Sequence, residues 1–263
     1  MDRSHVYLVV AAAAPALIAM WVVDRLDRKR PEPASLRRKV AVFGALSVIP
    51  VLILDGILLA ALRGSLEPEF TYNGAMFKAF VAAAAVEELC KIGVIYWIVW
   101  RRPEFDERLD GIVYASRAGL GFAFVENILY VLVASKGGME HALTVAGLRA
   151  VLAVPGHAMW SAMIGYFAAR RRFDRTGPGF VGGYLLAVAM HGAYDYAVFA
   201  QAPLRLEGYG DLGTALLAAP LLLTVIAFLI VRAMARTALA LDDAQHAQTP
   251  HPPPGPGPTP SWA

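Results

Sequence analysis

The sequence predicts an all-α, polytopic transmembrane helical bundle, and three observations predict it. Of 263 residues, 57% are hydrophobic and only 17% charged, whereas an average soluble domain carries about 25% charged residues. Several apolar stretches exceed the roughly 18 residues needed to cross about 30 Å of hydrocarbon at about 1.5 Å per residue. The basic residues gather in alternate connecting segments. That pattern reports membrane topology, so the net charge of +3 implies no nucleic-acid partner.

Apolar runs fall at roughly 6–23, 40–62, 74–100, 110–134, 146–168, 179–200 and 212–234, which predicts about seven spans. The first run lacks a small-residue cleavage site before its basic flank and reads as a retained anchor. Arg25, Arg28, Lys29, Arg30, Arg37, Arg38 and Lys39 follow it; Arg101, Arg102 and Arg108 follow the third run, and Arg170, Arg171, Arg172 and Arg175 the fifth. Arg232 and Arg236 end the last span, while the remaining loops offer little beyond Arg63, Lys136 and Arg205. The positive-inside rule then places the N-terminus outside and the C-terminus in the cytoplasm of a multi-pass cell-membrane protein, with the lipid bilayer as its solvent. Residues 1–241 form one transmembrane domain with a motif-bearing core at 74–200. Residues 242–263, rich in proline and polar groups, are expected to form a disordered cytoplasmic tail in which His246 and His251 are passive. Cys90 is the sole cysteine, so no intrachain disulfide can form.

An ionisable side chain at the centre of a spanning helix costs about 2.5–3.5 kcal/mol on insertion scales, so such residues are usually paired and functional. The third span carries Glu87, Glu88 and Lys91. Lys91 lies one helical turn beyond the two carboxylates and can pair with either, leaving one for acid–base work. Glu126 and Asn127 lie in the fourth span, where Gly119 and Ala123 share the Glu126 face and let a neighbouring helix approach. Arg117, in the same span, reads as snorkelling or paired with Asp110. Pro155 opens the fifth span just before His157. In the sixth, His191 and Asp195 stack four residues apart, so the carboxylate can fix the imidazole tautomer. Measured from the outer ends of their spans, Glu87, Glu126, His157 and His191 lie roughly 12–20 Å deep. They can therefore meet in one layer.

EELCK at 87–91, GFAFVENILY at 121–130 and HGAYDY at 191–196 fit EExxK, GFxxxEN and HxxxD patterns. With the intervening DGIVYA at 110–115, they resemble the PrsW family of intramembrane proteases, distantly related to the CAAX prenyl-protease and bacteriocin-processing group. The resemblance covers about 74–200. It implies an intramembrane endopeptidase that cuts a membrane-tethered protein, such as an anti-sigma factor, near its extracytoplasmic face. It also implies Glu87 as general base, oriented by Glu88 and Lys91. Asn127, His157 and His191 are then candidate oxyanion donors, with Asp195 orienting His191. Alternatively, Glu126, His157 and His191 supply three ligands to a Zn2+ ion that acidifies the water. No HExxH occurs, and both schemes stand at this point. Two further functions use the same cleft: a transporter or proton relay, and a non-catalytic membrane scaffold.

Overall fold

The computed structural model describes residues 3–62 and 70–248, and among these there are helices and no strand. In chain order they are α1 (Arg3–Asp24), α2 (Ala34–Leu46), α3 (Val48–Leu62), α4 (Tyr72–Phe77), a π-helical stretch (Lys78–Ala85), α5 (Val86–Ile98) and α6 (Arg108–Ala134). After a short turn at Ser135–Gly137 follow α7 (Met139–Val151), α8 (Ala153–Phe173), α9 (Gly179–Phe199), α10 (Gln201–Leu206), α11 (Gly210–Leu216) and α12 (Ala218–Gln248).

The bundle is organised around α6. Every residue from Arg108 to Ala123 is buried, as a helix must be when neighbours cover its whole circumference. Those neighbours are chiefly α1, α2 and α8. Lipid offers no hydrophobic drive for helices to associate, so close backbone contact at small residues supplies the attraction. Gly111 and Gly165 lie against each other's carbonyl oxygens across the α6–α8 seam, and Gly121 lies against the Ala41 carbonyl of α2. A Cβ at any of these positions would overlap backbone. Outward-facing side chains such as Leu52, Ile53, Ile57, Val181, Leu185, Leu222 and Leu229 are exposed, the apolar exterior that a bilayer requires.

One end of the bundle is latched by charge. Asp242 of α12, 1% exposed, accepts from Arg108 Nη1 at 2.9 Å and from the backbone N–H groups of Arg108 and Leu109, both at 3.0 Å. Arg108 Nε also donates to Asp174 at 2.8 Å. Lys29 and Arg30 hold Asp243 at 2.7 and 3.1 Å. The basic segments after α1, before α6 and after α8 thus converge with the end of α12, all at the end the positive-inside rule assigns to the cytoplasm.

Three expectations need correction, on the end of the last helix, on His246 and on Arg117. Five helical segments are long and apolar enough to cross a membrane: Ser4–Asp24, Ala34–Ala61, Arg108–Gly137, Met139–Phe173 and Gly210–Gln248. The other two expected spans, 74–100 and 179–200, are also helical over most of their length and carry the ionisable residues Glu87, Glu88, Lys91, His191 and Asp195. The last helix runs through Gln248 instead of giving way to a tail at 242, because Asp242 and Asp243 are bound; the remainder, 249–263, with His251, lies outside the described residues, as does Arg63. His246 lies 2.6 Å from Glu107 Oε1 and is not passive. Arg117 pairs with Asp24, Nε to Oδ1 at 2.9 Å, and not with Asp110, whose carboxylate instead caps α6.

The glycine seam is testable. Gly165→Ala forces α8 away from α6 and is expected to lower stability by about 1–3 kcal/mol, read as a fall in the detergent melting temperature. Gly147→Ala, whose Cβ would meet nothing within 4 Å, is expected to leave melting unchanged or slightly raised.

Candidate active site

The π-helical stretch immediately precedes the paired glutamates. π turns interrupt the regular i→i−4 ladder and tend to occur at functional sites. Here the carbonyl of Ala85 accepts from the Tyr184 hydroxyl at 3.1 Å, and Phe80 packs on Gly192, tying the stretch to α9. Glu87, Glu88 and Lys91 then follow on α5, 5%, 0% and 0% exposed.

Such burial is sustainable only with mutual compensation, and Lys91 supplies it. Its ammonium donates to Glu88 Oε1 at 2.8 Å and Glu87 Oε2 at 3.2 Å, and lies 3.0 Å from His157 Nδ1. It sits 4.3 Å from the Phe122 ring centre as well, a favourable cation–π arrangement. Lys91 therefore pairs with both carboxylates at once and leaves neither over.

An ammonium can only donate, so His157 accepts at Nδ1 and carries its proton on Nε2. That N–H donates to Glu126 Oε2 at 2.9 Å. Glu126 is also paired with Arg149 of α7, whose Nε donates to Asn127 Oδ1 at 2.9 Å and whose guanidinium lies 3.9 Å over the Tyr130 ring. Asn127 completes the strut by donating to the Ala12 carbonyl at 2.6 Å. His191 places Nδ1 3.0 Å from Glu88 Oε1 and Nε2 3.4 Å from Asp195 Oδ2 and 3.8 Å from Glu87 Oε2. The Trp160 ring stacks on it at 4.1 Å and 12°.

The structure thus joins Glu87, Glu88, Lys91, Glu126, His157, His191 and Asp195 in one layer drawn from α5, α6, α8 and α9. Asn127 is adjacent, but both ends of its amide are engaged, so it braces Glu126 and Arg149 and does not face a substrate oxyanion. The four ring nitrogens of His157 and His191 each meet a carboxylate or Lys91, so neither imidazole presents a free donor. Arg149 and Asp55 were missed in the sequence reading. Both are ionisable residues inside apolar runs, the same signal that singled out the others.

A half-open cavity of about 290 Å³ reaches this layer between α3, the π-helical stretch and α6, with Asp55, Lys78, Glu87, Phe122, Glu126 and Tyr130 in its wall. Glu88 is absent from that wall. Of the two adjacent glutamates, only Glu87 meets the space a water and a substrate would enter.

The donor set also suits a divalent ion. Glu87, Glu88, His157 and His191 each offer one ligand atom, all within 4.8 Å of one another; about 3.4 Å would separate ligands at tetrahedral bond lengths of about 2.1 Å. Glu88 Oε2 is buried without a hydrogen-bond partner. The layer sets four carboxylates, Glu87, Glu88, Glu126 and Asp195, against the fixed cations Lys91 and Arg149, a deficit that one divalent ion balances. This group differs from the expected zinc set of Glu126, His157 and His191 in one respect: Glu126 lies on Nε2 of His157, while Nδ1 faces Glu87 and Lys91. It is placed to orient that imidazole, as carboxylates behind metal-bound histidines do.

A family profile described as PrsW family intramembrane metalloprotease matches residues 32–236. Similar curated proteins include the "Protease PrsW" of Geobacillus kaustophilus, 33% identical over 196 residues, 74% of this chain and 80% of that protein. That of Oceanobacillus iheyensis is 33% identical over 188 residues, 71% and 80% of the two chains. That of Bacillus subtilis is 29% identical over 196 residues, 73% and 83%. No solved structure matches.

Arg149 yields the test of this layer's electrostatics. Arg149→Met strips Glu126 of its guanidinium and is expected to cost about 3–5 kcal/mol in unfolding experiments. Adding Glu126→Gln is expected to recover at least half of that loss. Strictly additive losses would show that the two residues are not coupled.

Proposed function

Because the chain belongs to the PrsW family of intramembrane metalloproteases, we propose that it hydrolyses a membrane-tethered protein with Glu87 as the group that activates water. The observation that carries the assignment is the position of Glu87: it is both in the buried charge layer and in the wall of the cavity. A bond in hydrocarbon is cut only where water can be held, and this cavity supplies that place beside a carboxylate.

The cut lies toward the extracytoplasmic side. Along α6, Glu126 is about 27 Å from the charge-latched end at Arg108 and about 12 Å from the opposite end at Ala134, at about 1.5 Å per residue. The substrate class implied by the resemblance, an anti-sigma factor with a membrane tether, would present its scissile bond at that depth. Its peptide would enter the open side of the cavity, between α3 and α6.

Zn2+ would be held by Glu88, His157 and His191, a His2Glu set in which it would take the Nδ1 lone pair of His157 in place of the Lys91 contact, and would supply Lewis-acid polarisation and a more acidic water. Glu87 remains outside this ligand set, free to take the proton of water and return it to the leaving amine. Lys91 orients Glu87 and Glu88 by donating to both. Glu126 and Arg149 hold His157 in its tautomer, and Asp195 with Trp160 holds His191. On the cavity wall, Tyr130 and Lys78 are candidate donors to a substrate carbonyl.

Cleavage of a tethered substrate by purified enzyme, measured alongside metal content, separates these roles. Glu87→Gln is expected to lower turnover by about 100-fold or more while retaining bound zinc and normal melting. Glu88→Gln and His191→Ala are expected to lose both zinc and cleavage, and chelation is expected to silence the wild type. Undiminished cleavage in Glu87→Gln would remove the acid–base assignment; activity that survives zinc depletion would remove the metal.

A further inference from the structure

Far from the active-site layer, the segment after α1 and the start of α6 bring together three carboxylates that proteolysis does not use. Asp27, Glu32 and Asp110 are 3%, 7% and 0% exposed, and one ligand oxygen from each lies within 4.8 Å of the others. Three adjacent anions withdrawn from water need protons or a cation to balance them. Among the described residues no ion pair reaches any of the three. The guanidinium groups whose fields extend to the cluster are committed elsewhere, Arg30 to Glu107 and Asp243, and Arg172 to the Trp100 carbonyl.

Each carboxylate is anchored through a single oxygen. Asp27 Oδ2 accepts from the Glu32 N–H at 3.1 Å. Asp110 Oδ2 accepts from the N–H groups of Asp106 and Glu107 at 2.9 and 2.7 Å, and Glu32 Oε2 accepts from the Tyr114 hydroxyl. Asp110 Oδ1 is buried and receives no N–H or hydroxyl donor; it meets the carboxyl of Glu32, so a shared proton or a cation must lie between the two. An acceptor kept from water without a donor costs about 1–3 kcal/mol, so a bound cation and a proton shared with Glu32 are the two ways to satisfy this oxygen. Burial pushes Asp27 up to about 7 and Glu32 upward from their ordinary values. Protons therefore compete for the same oxygens.

We propose that Asp27, Glu32 and Asp110 form a binding site for a hard divalent cation, Ca2+ or Mg2+, that fastens the segment after α1 to the N-terminal end of α6. The donors are all oxygen, with no histidine or cysteine among them, which favours these ions over zinc. Asp110 lies about 24 Å along α6 from Glu126, at about 1.5 Å per residue. The site is thus separate from the active-site layer and does not rest on the proteolytic reading.

The test uses full-length protein in lipid nanodiscs at pH 8, stripped with chelator and titrated with Ca2+ and, separately, Mg2+. Calorimetry is expected to find a saturable site that weakens about tenfold or more in Asp27→Asn and in Glu32→Gln and is unchanged in Glu87→Gln. The melting temperature of the wild type is expected to rise with the ion, a rise both variants lose. Terbium emission excited through Tyr114, and competed away by Ca2+, reads the same site in the unaltered chain. Three results would overturn the proposal. One is no saturable uptake of either ion below about 10 mM. Another is equal uptake by wild type, Asp27→Asn and Glu32→Gln. The third is melting that these substitutions raise without any dependence on ion, as expected of carboxylates that merely share protons.

Discussion

The Lys91 ammonium is the hub of this structure. It is withdrawn from solvent, in a layer otherwise surrounded by hydrocarbon, and is tolerable there only because Glu87, Glu88 and His157 accept from it. That requirement fixes more than the side chains. α5 must turn its polar face inward, α8 must bring His157 within reach, and α9 must bring His191 to the far side of Glu88. The close seam of Gly111 and Gly165 lets α6 and α8 approach until Glu126 meets His157. Polar compensation and small-residue packing are therefore one constraint seen at two places along the same helices.

A division of labour follows from the two glutamates being neighbours on one helix. Successive helical residues point about 100° apart, so a single α5 can offer Glu87 to the cavity and Glu88 to the interior. Glu88 is enclosed by Lys91 and His191, whereas Glu87 borders the space between α3 and α6. The Glu126–Arg149 pair and Asn127 form a brace behind His157 that reaches as far as the backbone of α1. α1 lies outside the family's sequence motifs, yet it takes part in holding the site.

Much of this was legible in the sequence because membrane burial makes charge conspicuous. Glu87, Glu88, Lys91, Glu126, His157, His191 and Asp195 stood out for being ionisable within apolar runs, and helical spacing gave the Lys91 and His191–Asp195 relations. What spacing cannot give is contact between helices. Whether Asn127 faces substrate or a neighbouring backbone depends on α1, and whether Glu126 joins the histidines or backs one of them depends on Arg149 from α7. Arg149 and Asp55 obeyed the rule that exposed the others and were passed over. The break at Leu152 between α7 and α8 was hidden in an apolar run read as a single span. The end of α12 was misjudged because the composition of 242–248 looks solvated, while its two aspartates are claimed by arginines and a lysine distant in sequence.

The most direct test of Lys91 as the hub is the unfolding of Lys91→Met compared with Lys91→Met/Glu88→Gln in the same detergent. Loss of the ammonium leaves buried carboxylates without a cation, so the single variant should lose about 3–5 kcal/mol. Neutralising Glu88 should restore much of that, with neither variant cleaving substrate. A Lys91→Met protein that melts like the wild type and still cleaves would contradict the account.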